Sequence, residues 1–163
     1  MASTDPTFAP AISGTFYRAI DPAFRAFAIT GSRSEGRYSR ANEPTLYLSS
    51  SIDGVEAAMI AHTNARSVER EIVDVHVEAS RIVDLRDARA REAAGIDLAD
   101  AMAPWQDIAA DGGTPPSWAV RDRVVEIGAN GLIDPSRKRP GCWHLVLFRW
   151  NEPDAPLVRL IER

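Results

Sequence analysis

Apolar and polar residues alternate over REIVDVHVEA (70–79), which predicts the clearest strand of the chain. Ile72, Asp74 and His76 fall on one face of it, and Val73, Val75 and Val77 on the other. Shorter β-prone runs predict strands over SGTFYRAI (13–20), TLYLSS (45–50), RIVDLR (81–86), GLIDPS (131–136), WHLVLFRW (143–150) and APLVRLIER (155–163). Helical patterning predicts helices over 51–65, with Ser51 or Asp53 near the N-cap, and over 87–95, ended by Gly95. It also predicts one over 98–108, interrupted near Pro104, and one over 118–129, with Ser117 as its cap. PAFRAFAI (22–29) is ambiguous, an extended turn being one reading, and 30–44 and 111–117 read as loop. Strands and helices mix without regular βα alternation, so the expected class is α+β rather than a doubly wound sheet. Residues 1–12 read as a flexible N-terminal arm and 13–163 as a single domain.

Composition narrows this picture. The 163 residues suffice for one domain with its own core. A formal net charge of -4 argues against direct nucleic-acid binding. Lys138 is the only lysine, so the cations are otherwise arginines, which suit bidentate grips on phosphate. The lone Cys142 excludes an intrachain disulfide and a cysteine-based metal site, and points to a reducing cytoplasm. No apolar run reaches membrane-spanning length, and MASTDPTFAP lacks the basic and apolar halves of a signal peptide.

No GxGxxG, Walker loop, HExxH or GxSxG occurs. His62, His76 and His144 have no matching Cys/His set and read as packed or exposed residues, not ligands of a metal. Trp105, Trp118, Trp143 and Trp150 read as packing. Two arginine-bearing loops stand out. In GRYSR (36–40), Gly36 lets the backbone pass close to a ligand, beside Arg37 and Tyr38. In PSRKRPG (135–141), Ser136 and Arg137 could bond and neutralise a diphosphate. Taken singly, each of these, like Arg18 at the end of its strand-like run, equally fits a solvated surface.

Together they resemble a known family, the RES domain, the toxin half of bacterial Xre–RES toxin–antitoxin pairs. FYR (16–18) resembles its opening aromatic–arginine. GRYSRANEPTLYLSSS (36–51) resembles its Gly-Arg-aromatic-Asn-Pro…Tyr block, and GVEAAMIAH (54–62) the helix that follows. GANGLIDPSRKRPGCWHLVLF (128–148) resembles its Gly-x-x-Gly…Pro-Ser-x-Arg…Leu-Phe ending. The resemblance implies an ADP-ribosyltransferase-like mixed, split sheet with flanking helices around an NAD cleft. It implies NAD as substrate and no metal. The activity would be mono-ADP-ribosylation of a host protein, or NAD breakdown as a glycohydrolase or phosphorylase. The implied partner is an Xre-type helix-turn-helix antitoxin that blocks the cleft, in a hetero-oligomer. On this resemblance Arg18, Arg37, Tyr38, Tyr47, Ser49, Ser136 and Arg137 bind NAD, and Arg37, Tyr47 and Ser136 belong to the catalytic set.

One family feature is missing. The carboxylate expected eleven residues after the strand tyrosine falls, counted from Tyr47, on Ala58. Glu56 lies close in sequence, but two helix positions are about 200° apart. Three readings stand: an exchange of a native glutamate at 58, a shifted helix register that makes Glu56 the carboxylate, or a relative that binds without catalysis. In the last case the chain is an interaction domain for an antitoxin-like partner. A generic small-ligand binder is the remaining rival.

Overall fold

The computed structural model describes residues 5–60 and 70–162, and for 57–60 the backbone alone. Seven strands form one sheet: β1 Ile12–Ile20, β2 Leu46–Ser49, β3 Glu71–Ala79, β4 Ile82–Asp84, β5 Gly131–Pro135, β6 Trp143–Leu147 and β7 Leu157–Leu160. Their order is β4-β5-β6-β2-β1-β3-β7. The pair β4–β5 is parallel and the other pairs are antiparallel, so the sheet is mixed. Strand β1 pairs with β3 over its whole length, but its register with β2 is the single pair Tyr17–Ser49. The sheet is split at that seam.

Strand alternation puts two cores on the two faces. Phe16, Ile20, Leu46, Leu48, Val73, Val75, Val77, Leu145 and Leu147 fill one. The other faces the helices: Ala94 of α2 (Ala88–Ala94), Ala101 of α3 (Leu98–Met102), and Val120 and Val124 of α5 (Pro116–Glu126) pack with Val83, Leu132 and Val146. Burying about ten such aliphatic side chains on each side, at about 1.5–3 kcal/mol apiece, supplies the gross driving force for folding.

Local chemistry sets the element ends. Asp87 caps α2 by accepting from the Arg89 amide, and Gly95 closes it in the left-handed region at φ 72°. Helix α1 (Ile52–Ile60) is capped by Ser51, whose Oγ accepts from Gly54 N at 3.1 Å, rather than by Asp53. The expected extension of this helix to 65, with His62, lies outside the described residues.

Three local expectations change. Residues 22–27 form a 3-10 helix, its first turn closed by Asp21 accepting from Ala23 N. The helix expected over 98–108 is two, α3 and α4 (Trp105–Ala110), because Pro104 has no amide to continue the ladder. Ser117 is not a cap: α5 starts at Pro116, a residue suited to the first helical position, and Ser117 is buried within the first turn. In the segment read as an arm, Ala9 N donates to Ile82 O at 2.8 Å and the Phe8 ring lies 4.6 Å from the Arg81 guanidinium. This contact covers the exposed edge of β4. Among the described residues, no helix is long and apolar enough to cross a membrane.

Candidate functional site

GRYSR folds as a tight turn over the ring of Tyr47. Gly36 N donates to Ser39 O at 2.9 Å. The Tyr47 hydroxyl accepts from Tyr38 N at 3.1 Å and lies 2.8 Å from Ser39 Oγ. A Cβ on Gly36 would come within 2.6 Å of that hydroxyl, so this is a glycine required by close approach.

Helix α5 holds the turn from behind. The carbonyls of Gly36, Arg37 and Tyr38 accept, in order, from Trp118 Nε1 (2.8 Å), Ser117 Oγ and Arg121 Nη1 (2.9 Å). Three consecutive carbonyls are thus satisfied by one helix. Arg121 also donates to Thr45 Oγ1 at 2.6 Å, and Arg40 pairs bidentately with Asp122 at 2.9 Å on both nitrogens. Arg40 is therefore a surface anchor of the turn and takes no part in the cluster described next.

The side chain of Arg37 donates to Ala101 O (2.9 Å) and Ala103 O (2.6 Å). Arg137 donates to the same Ala101 O (2.7 Å) and to both oxygens of Asp134 (3.1 and 3.2 Å). Asp134 in turn accepts from the Tyr38 hydroxyl at 2.7 Å. Two guanidiniums and one carboxylate thus meet under the turn between α3 and α4. Burial pushes the Arg37 guanidinium below its ordinary value, and the neighbouring charge of Arg137 pushes the same way. Burial and Asp134 hold the Tyr38 phenol well above its usual range, so it stays a proton donor. The cluster carries one positive charge in excess, and Arg137 Nε is buried without a partner.

Ser49 and His144 face each other across β2 and β6, with Ser49 Oγ 3.0 Å from His144 Nδ1. Asp134 is the cross-strand neighbour of His144 on β5. Burial lowers the His144 pKa, Asp134 raises it and Arg137 lowers it, with a net fall from 6.5. The unfolded chain then binds this proton at a higher pH than the folded one. Stability from this residue is complete above about pH 6.5 and falls as pH drops from there to the lower folded value. The urea midpoint of the parent should fall more steeply below pH 6.5 than that of His144→Asn. Equal slopes would show that the imidazole keeps its ordinary titration in the fold.

The residues singled out from the sequence separate into groups. Tyr47 and Ser49 lie on one face of β2, with Arg37 and Arg137 converging above Asp134. Ser136 follows β5, with its Oγ accepting from Arg139 N at 3.2 Å. Tyr38 is fully buried, so its part is to anchor Asp134 rather than to meet a ligand. Arg18 is on the opposite face. Strand alternation sets it with Phe16 and Ile20, opposite Val73, where its Nη1 donates to Ala28 O at 3.0 Å. It therefore cannot join Arg37 across the sheet in this structure. Position 58 lies one helical turn beyond Gly54, where a Cβ would come within 3.6 Å of Ser49 Cβ. Glu56 is exposed, as is Ile52, whereas Val55 between them is buried.

The sequence reading singled out neither Asp134 nor Arg121, took His144 as a packed or exposed residue, and took Ser117 only as a cap. The signal for Ser117 and Arg121 was their spacing, a polar pair four residues apart amid Val120 and Val124. Asp134 and His144 needed the β5–β6 register, which no local pattern gives. Two open hollows, of about 400 Å³ beside Arg25 and Leu160 and about 500 Å³ beside Arg91 and Leu98, lie away from this cluster. Among the described residues, no three of His, Cys, Asp and Glu group as metal ligands would.

Comparison with known proteins bears on the family and the fold. The family model for the RES domain matches residues 15–162. No curated protein matches the sequence significantly. A solved structure titled as the M. tuberculosis MbcT–MbcA toxin–antitoxin complex is similar in fold, with a TM-score of 0.64 at 20% identity. The alignment covers 96% of this chain and 88% of that one.

Proposed function

Since the chain belongs to the RES-domain family, we propose that it is the toxin of a bacterial toxin–antitoxin pair whose native chemistry consumes NAD in the cytoplasm. The observation that carries this reading is the cationic cluster. Arg37 and Arg137 converge on Ala101 O near Tyr47, with the Asp134 carboxylate paired to Arg137, and one buried guanidinium nitrogen is unpartnered. A diphosphate fits that excess of positive charge, and arginine fits its oxygens.

The chemistry then follows from NAD. The bond between nicotinamide and ribose breaks with its electron pair leaving on the ring nitrogen, so nicotinamide departs neutral and the ribose carbon becomes oxocarbenium-like. A nucleophile, either water, phosphate or a protein side chain, closes on that carbon. The protein must orient NAD and stabilise the developing cation. Arg37 and Arg137 would hold the diphosphate, Tyr47 would present a ring near nicotinamide, and Ser49 and Ser136 would supply hydroxyls. The carboxylate that would face the cation belongs at position 58. Alanine there favours a second reading of the chain as it stands: NAD is bound but not turned over.

The finer reading is transfer of ADP-ribose to a host protein, with α4 and the loop up to Pro115 shaping the acceptor surface. The partner would be an Xre-type antitoxin that covers the cleft. The test is incubation of the Ala58→Glu variant with labelled NAD and host lysate. A discrete labelled protein band is the expected result. Free ADP-ribose or its 1-phosphate without a band would replace transfer by breakdown, and intact NAD would remove both.

A further inference from the structure

Ser49, His144 and Asp134 are neighbours across β2, β6 and β5, and Tyr17 and Asp74 continue the same row onto β1 and β3. Cross-strand neighbours share a face. Five polar side chains therefore run in one line across five adjacent strands. The next row on this face is Tyr47, Val146, Leu132 and Val83, which is apolar apart from one hydroxyl. A polar line through such a face is costly unless each member is bonded. Asp134 is answered by Tyr38 and Arg137, and Ser49 by His144.

The Ser49–His144 pair differs in kind from the arginine cluster. Both groups are uncharged at neutral pH, and the first turn of α1 packs against Ser49. A neutral hydroxyl with one fixed hydrogen bond suits a neutral ligand hydroxyl, not a phosphate. Within NAD, the hydroxyls nearest the bond that breaks are those of the nicotinamide ribose.

Resting on the NAD reading above, we propose that His144 is a positioning residue: its Nδ1 accepts the Ser49 proton and so aims the Ser49 lone pairs at a hydroxyl of the nicotinamide ribose. Ser49 would touch the ligand, and His144 would act only through it.

The test is titration calorimetry of NAD and of ADP, which lacks that ribose, into the parent, Ser49→Ala, His144→Leu, the double variant and His144→Asn. Ser49→Ala and His144→Leu should each bind NAD about tenfold more weakly, the loss of one hydrogen bond. The double variant should be no worse than either. His144→Asn, whose amide oxygen can take the place of Nδ1, should stay within about threefold of the parent. ADP affinity should not change in any of them. Parent-like NAD affinity in Ser49→Ala, multiplied losses in the double variant, or a parallel fall in ADP affinity would each overturn the assignment while leaving NAD binding intact. If His144→Leu fails to fold, Ser49→Ala and His144→Asn decide alone. A parent chain that binds ADP and NAD not at all overturns the NAD reading itself, and this inference with it.

Discussion

Ala58→Glu should raise NAD consumption by on the order of 10²–10³-fold over the parent and make expression of the chain growth-arresting. The magnitude is that of one electrostatic partner to a transition-state charge. A methyl group offers nothing to an oxocarbenium-like ribose, whereas a carboxylate one turn beyond Gly54 adds a fixed negative charge where positive charge develops. The measurement is NAD loss against time, followed enzymatically, with plating of the inducible variant beside it. The variant should keep the parent's NAD affinity, because Arg37 and Arg137 are untouched. If Ala58→Glu is inert while Glu56→Gln alters an activity the parent already has, the carboxylate is Glu56. The exposure of Glu56 argues for the first outcome.

Asp134→Ala should destabilise the fold by about 3 kcal/mol, the lower end of what breaking a buried ion pair costs. Asp134 is 4% exposed and answers two groups at once, the fully buried Tyr38 hydroxyl and the Arg137 guanidinium. Its removal leaves a buried phenol without an acceptor and two arginines without their counter-charge. Tyr38→Phe removes only the hydroxyl and should cost about 1 kcal/mol. In the double variant the losses should fall short of their sum, because both single changes break the same bond. Urea unfolding of the four proteins reads this directly. An Asp134→Ala midpoint equal to the parent's would show that the cluster does not anchor the turn.

The strands were legible because period-two alternation is local. β3 lies where REIVDVHVEA alternates, and Val73, Val75 and Val77 share the buried face. Helix ends marked by side chains, at Ser51 and Gly95, were equally legible. Ser117 misled because a serine before an apolar run looks like a cap, whereas two preceding prolines had already started the helix. The site was legible in part. Motif order grouped Arg37, Tyr47 and Ser136 as an expectation, but could not tell which face of β1 Arg18 takes, since one residue of register reverses it. Nor could it show that Tyr38 points inward, because that depends on Asp134, 96 residues away.

The grip of α5 on the three carbonyls of residues 36–38 has a consequence for the order of assembly. Ser117, Trp118 and Arg121 reach back across 80, 82 and 83 residues. Closing such distant contacts comes late in folding, and during synthesis it cannot begin until those residues have left the ribosome. Until then the nascent GRYSR segment has only its local bonds, to Ser39 and Tyr47, and lacks the three from α5. The turn that would grasp a ligand gains its full support only after α5 has been made.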